Sequence, residues 1–408
     1  MSENFIPLQR LKPQVNFTSG LPPLSLYIHV PWCVRKCPYC DFNSHEKKSE
    51  IPEARYLAAL RRDLEATLPL VWGRTVYTVF LGGGTPSLLT GDAIEQILTM
   101  VRSYLPLSPD AEITMEANPG TAEADRFEQY AAAGVNRFSL GVQSFDNDSL
   151  EKLGRIHNAE QAERAIELAM KSVSQVNIDL MFALPGQTVA KAQDDVKRAL
   201  AFGTQHLSLY HLTMEPNTVF AKFPPKGLPD EDSAADIEDM LLRETQDAGF
   251  EHYEISAYAR PGCRARHNLN YWEFGDYIGI GPGAHGKLSF HDRIIRTANV
   301  KNPQSWMDRS LDGDGSGRRM SENTLAVNDL PFEFMLNALR LVNGVPATLY
   351  QERTSLSLLT VASSIRKAVD RGLLEADPLT IRPTPRGHAF LNDLQAMFLP
   401  DNTARSRS

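Results

Sequence analysis

Cys33, Cys37 and Cys40 stand in the run His29-Val-Pro-Trp-Cys33-Val-Arg-Lys-Cys37-Pro-Tyr-Cys40, a C-x3-C-x2-C spacing that puts three thiols in one short loop. Three thiolates so spaced can wrap one face of an iron–sulfur cube, whereas a closed cube takes four. One iron would then stay open to a small molecule. Two plainer readings use the same residues. One is a four-cysteine zinc site that recruits Cys263, the only other cysteine of the chain. The other is a redox pair of Cys37 and Cys40. Phe42 follows two residues after the last of the three and would set an apolar ring against a cluster.

Further along, Gly82-Gly83-Gly84-Thr85 is a loop whose bare backbone can approach a ligand where a Cβ would intervene. Glu116 can pair with an ammonium, and a charge-assisted bond is about twice as strong as a neutral one. Arg155 suits a carboxylate in the bidentate manner of guanidinium. Gln143 and Asp179 can bond hydroxyls. A second aromatic motif, His267-Asn268-Leu-Asn-Tyr271-Trp272, joins an imidazole to two flat apolar faces, which together suit a metalloporphyrin.

These residues need a scaffold that brings them together. Between residues 26 and 255 the chain alternates β-rich runs (26–30, 76–81, 112–116, 137–140, 176–182 and 206–211) with amphipathic ones (53–68, 91–104, 122–133, 159–171, 189–202 and 232–248). Six β/α repeats imply a parallel sheet curled into a partial (β/α)6 TIM-like barrel, with chemistry at the carboxyl ends of the strands. An open doubly wound sheet competes, but cysteines stand where its Gly-rich dinucleotide turn belongs. Glu116 then ends the third strand, and Gln143 and Asp179 lie at the fourth and fifth. The expected organisation is an extension at 1–20, the barrel at 21–255, the aromatic-motif region at 256–308 and a flexible Gly/Asp/Ser-rich linker at 309–320. A mostly helical, winged-helix-like domain at 321–400, with a hairpin of 373–375 and 379–382, and a disordered tail at 401–408 complete it.

The cysteine spacing after a first strand resembles the signature of the radical S-adenosylmethionine (SAM) superfamily. Leu26-Tyr-Ile-His-Val-Pro, Gly82-Gly-Gly-Thr-Pro-Ser87, Glu116-Ala-Asn-Pro, Ser139-Leu-Gly-Val-Gln143 and Asp179-Leu-Met-Phe-Ala-Leu-Pro-Gly-Gln-Thr188 resemble the oxygen-independent coproporphyrinogen III oxidase family, from about residue 22 to 290. The resemblance implies a [4Fe-4S] cluster on Cys33, Cys37 and Cys40. It implies SAM contacts from Tyr27, Tyr39, Gly83, Gly84, Thr85, Glu116, Gln143, Arg155 and Asp179.

Within that family the oxidases resemble C-x3-C-x2-C-x-C, and this chain has Phe42 at the last position. His267 to Trp272 resembles the H-N-x-x-Y-W motif of the heme-chaperone subgroup, HemW, and Gly279-Ile-Gly-Pro-Gly-Ala-His285-Gly follows as it does there. The subgroup implies heme contacts from His267, Asn268, Tyr271 and Trp272. His267 is the first choice as axial ligand, with Cys263 and His285 as alternatives, and respiratory, membrane-bound hemoproteins are the recipients. A homodimer is expected from the same resemblance, and decarboxylation of coproporphyrinogen III is the competing activity.

Bulk numbers bound the rest. A net charge of −8 in 408 residues gives no general nucleic-acid footprint. No apolar run approaches the ~20 residues that cross a bilayer, and residues 1–20 lack the apolar core of a signal peptide. A cytosolic protein is expected.

Overall fold

The computed structural model describes residues 14–18, 20–120 and 126–400. The start of the expected extension, the first residues of the expected 122–133 helix and the 401–408 tail lie outside them.

Six strands follow in β/α order: β1 (Leu24–Val30), β2 (Val76–Gly83), β3 (Leu107–Ala117), β4 (Arg137–Gln143), β5 (Gln175–Phe182) and β6 (His206–His211). All pair in parallel with their sequence neighbours. Their outward residues, among them Leu26, Ile28, Val79, Leu81, Phe138 and Ile178, are buried against the connecting helices. Those helices are α1 (Glu53–Val71), α2 (Gly91–Tyr104), α3 (Phe127–Ala133), α4 (Ala159–Ser172), α5 (Val189–Ala201) and α6 (Glu231–Asp247). Their starts obey local rules: Thr90 accepts from the Ala93 amide to begin α2, and Asn158 with Gln161 forms a capping box for α4.

The inward residues are mostly polar. The register sets Ser25 beside Thr78, Tyr27 beside Phe80 and His29 beside Gly82. Glu116 lies beside Ser139, and Asn177 beside His206. An apolar outer face and a polar inner face are what a partial barrel with a functional interior requires.

The sheet continues past the expected boundary at residue 255. Among the described residues twelve strands form it, in the order β12-β11-β10-β9-β1-β2-β3-β4-β5-β6-β8-β7. Here β7 is Glu251–Glu254, β8 Ala257–Ala259, β9 Asp276–Ile280, β10 His285–Ser289, β11 Ile294–Asn299 and β12 Arg319–Thr324. β9 runs parallel to β1, and β10 to β12 extend the sheet antiparallel from it. The short helix α7 (Arg266–Trp272) packs between.

Residues 309–320 are therefore not the flexible linker that their composition suggests. They end α8 (Pro303–Leu311), turn through a 3-10 segment at Ser316–Arg318 and begin β12. Arg318 is 3% exposed and forms an ion pair with Asp63 of α1, itself fully buried. That pair is what the polar composition serves. Asp63 also accepts from the Gly281 amide and from Asn299.

The carboxyl-terminal part is helical, as expected, with α9 (Leu330–Ala338), α10 (Ala347–Thr354) and α11 (Ala362–Asp370). The expected hairpin is reduced to a bridge between Leu374 and Pro383, and Thr380–Ile381 pairs instead with Val345–Pro346. Leu330, Phe334 and Tyr350 share one apolar core with Phe274, Ile294 and, from the amino-terminal segment, Val15 and Phe17.

Candidate functional site

The three clustered cysteines lie where β1 ends. Trp32–Cys33 pairs with His45–Glu46, which closes the intervening loop. Each sulfur meets a polar neighbour: Thr85 Oγ1 donates to Cys33 Sγ at 3.5 Å, Arg155 Nη1 to Cys37 Sγ at 3.6 Å, and Ser44 Oγ lies 3.5 Å from Cys40 Sγ. Cys263 sits elsewhere, with its sulfur 4.0 Å from Gln175 at the opposite end of β5. A zinc site built from all four cysteines is excluded by that distance along the barrel.

The cysteines line a pocket of about 160 Å³ together with Tyr39, Gly83, Gly84, Thr85, Glu116, Gln143, Arg155 and Asp179. Eight of the nine expected SAM contacts thus converge there. Tyr27 does not; its hydroxyl bonds His29 Nδ1 at 2.9 Å, and it faces a neighbouring cavity. Asn118 and Ser139 line the pocket and escaped the sequence reading, although both stand inside quoted motifs. Asn118 stands two places after Glu116, and Ser139 shares the alternation of Gln143 along β4, which was the available signal. Arg155 crosses this small pocket, donating to Asn118 Oδ1 at 2.5 Å and to the Gly141 carbonyl at 2.6 Å.

Backbone geometry fits the cradle. Gly83 has φ +113°, and a Cβ there would meet the His29 ring at 2.3 Å, so only glycine brings this amide to Glu116 Oε2 at 2.9 Å. Gln143 holds φ +71°, a left-handed value costly for a non-glycine residue and concentrated at functional sites. Burial, opposed by the Gly83 amide, raises the Glu116 carboxyl to about 7, and nearby Asp179 adds to the rise.

The second cavity adjoins the first and shares Phe42, Gly83 and Glu116 with it. Its volume is about 490 Å³, inside the roughly 300–1,000 Å³ of ordinary small-molecule sites. Tyr27, Tyr271, Trp272, Phe274 and Tyr277 give it aromatic walls, and Lys287, Arg296 and Lys301 give it a cationic side next to His285. Asn43 joins the two sites: its side-chain amide donates to Pro282 O and Lys301 O, both at 2.9 Å, and its carbonyl pairs with His29 Nε2.

The expected heme residues divide. Tyr271 and Trp272 line the cavity; His267 and Asn268 do not. His267 is 1% exposed, with Nδ1 2.8 Å from Thr78 Oγ1, Nε2 3.0 Å from the Tyr271 hydroxyl, and its ring stacked on Phe80 at 5.0 Å. Both nitrogens are occupied, and burial lowers its pKa to about 3. It orients Tyr271 and packs α7 onto β2; as an iron ligand it has no free lone pair. The Glu112 carboxylate accepts from the Arg266 and His267 amides, both at 3.0 Å, and caps this helix.

Family comparisons agree with this layout. The radical SAM superfamily matches residues 27–199, and the HemN C-terminal domain matches residues 325–390. The chain is 47% identical to heme chaperone HemW of Escherichia coli strain K12 over 384 residues, covering 93% of this chain and 99% of that one. This chain belongs to the HemW heme chaperone family. The HemW of Haemophilus influenzae is 44% identical, with 93% and 99% covered. The bovine radical S-adenosyl methionine domain-containing protein 1, mitochondrial, is 35% identical, with 93% and 88% covered. In fold, this HemW-family chain resembles the Escherichia coli coproporphyrinogen III oxidase HemN, described as a radical SAM enzyme, with a TM-score of 0.79 at 23% identity over 93% of this chain and 90% of that one. Among the described residues, no helix is long and apolar enough to cross a membrane.

Proposed function

We propose that the protein is a heme chaperone that carries heme in the larger cavity, beside a [4Fe-4S] cluster and SAM in the cysteine pocket, and passes the heme to hemoproteins. One observation carries the reading: an aromatic and cationic cavity shares a wall with a three-cysteine pocket. Heme is flat, apolar on both faces and anionic at one edge, which is the chemistry of that lining.

The donor set suits the cluster. Three sulfurs, each with a polar neighbour, face one pocket, and such neighbours tune iron–sulfur centres. Cys33, Cys37 and Cys40 would hold the cluster, and Glu116 with the Gly83–Thr85 backbone would hold SAM. The pair supplies one-electron reduction of a sulfonium when bound. The chain's own work is placement. Glu116 would offer a carboxylate to an ammonium, Arg155 would offer its guanidinium to a carboxylate, and Phe42 lines both sites with an apolar ring. Delivery to respiratory, membrane-bound recipients from the cytoplasm, and action as a homodimer, belong to the same proposal.

The test uses anaerobically reconstituted protein, offered heme and coproporphyrinogen III in separate incubations. Stoichiometric heme binding followed by transfer to an apo-hemoprotein supports the chaperone reading. Formation of protoporphyrinogen IX would overturn it in favour of decarboxylation.

A further inference from the structure

If the larger cavity is the cargo site, as proposed above, its iron ligand must come from the lining. Two histidines line it, His29 and His285. His29 is 5% exposed, and both its ring nitrogens are occupied, by the Tyr27 hydroxyl and the Asn43 carbonyl. His285 opens β10, is exposed, and among the described residues its ring has no hydrogen-bond partner.

The strand geometry aims it. In the β10–β11 register His285 stands opposite Ala298 and Lys287 opposite Arg296, and Tyr277 of β9 pairs with Lys287. Side chains two apart on a strand share a face, so His285, Lys287, Arg296 and Tyr277 present one surface. Ala298 leaves room beside the imidazole. The loop entering β10 is held from two sides: Asp63 accepts the Gly281 amide, and Asn43 binds the Pro282 carbonyl. A Cβ at Gly283 would meet Asn43 at 2.3 Å, so the loop seats directly on the segment that follows the cysteines.

The cations sort in the same way. Lys287 is buried on Asp276, and Arg296 is engaged by Tyr277 and Glu333. Lys301 is exposed, and among the described residues its ammonium has no partner.

We propose that His285 is the axial ligand of the heme iron in the larger cavity, and that Lys301 receives a heme propionate. Coordination uses the lone pair of the neutral imidazole, and no bond breaks in either partner. Partial desolvation of the ring within the cavity and the positive charges of Lys301 and Arg296 lower the His285 pKa, which favours the neutral imidazole. The porphyrin would then lie against Tyr271, Trp272 and Tyr277, the walls facing this strand.

Ferric heme titrated into the full-length protein, followed by its Soret band and electron paramagnetic resonance, decides the matter. In His285→Ala the histidine-ligated spectrum is lost, affinity falls tenfold or more, and added imidazole restores the band. His285→Met shifts the band to that of a thioether ligand. Lys301→Glu weakens binding severalfold without moving the band. A wild-type spectrum and affinity in His285→Ala would overturn the assignment while leaving the chaperone reading intact. Failure of the wild-type protein to bind heme would overturn both.

Discussion

At the scale of single residues, Glu116 carries the sharpest pH expectation. Its carboxyl is raised to about 7 by burial, so the carboxylate predominates only above that value. A ligand ammonium needs the charged form, and affinity should therefore drop as pH falls through 7. Calorimetric titration of SAM at pH 8 and pH 6 should show up to about tenfold weaker binding at pH 6, since one pKa unit corresponds to about 1.4 kcal/mol. Glu116→Gln should weaken binding by about tenfold or more at pH 8 and remove the pH dependence, because a bond to a charged group contributes about 1.5–3 kcal/mol. For the cluster, Cys37→Ala should lose most of its iron and sulfide after reconstitution; full retention would overturn the ligand assignment. These residues were legible in the sequence because their neighbours in one pocket are also neighbours in short motifs. His267 was not. Its orientation depends on Thr78 and Phe80, nearly two hundred residues away, and a single imidazole on a short helix gives no sign of which way it faces.

At the scale of elements, the six β/α units were readable because outward strand residues are apolar and the helices carry caps and stripes. Strands β9 to β12 were hidden, since Lys287, Ser289, Thr297 and Asn299 are buried polar residues whose partners lie elsewhere in the chain. The linker error has the same origin: Arg318 reads as a surface residue until Asp63, far away in α1, is placed beside it. Asp63→Ala leaves that buried guanidinium uncompensated and should cost about 3–5 kcal/mol in urea unfolding. Helix α7 makes a second expectation. His267 has a pKa of about 3 when folded, against an ordinary 6.5, so the unfolded chain binds the extra proton between those values. Its contribution is complete above 6.5 and is lost as pH falls toward 3. The stability difference between wild type and His267→Gln should therefore shrink by about 2 kcal/mol from pH 7 to pH 5.

At the scale of the whole molecule, the carboxyl-terminal helices and the amino-terminal segment are parts of one body with the barrel. Val15 and Phe17 share the core of Phe334 and Tyr350, the Asn16 amide donates to Ser355 at 2.7 Å, and Glu254 forms a bridge with Leu341. Trp272, a wall of the larger cavity, stacks under Arg340 from the helical part at 4.2 Å. Truncation before residue 325 should therefore expose the core around Phe274 and Ile294 and yield an aggregating fragment by light scattering, rather than a soluble barrel.

Asn43 joins the segment after the cysteines to the strand entry that presents His285. If the cluster and heme sit as proposed, a change in how Cys33, Cys37 and Cys40 are held would reach the wall of the larger cavity through these two hydrogen bonds. Heme affinity should fall when the reconstituted protein is exposed to air, and Asn43→Ala should make heme binding indifferent to the state of the cluster.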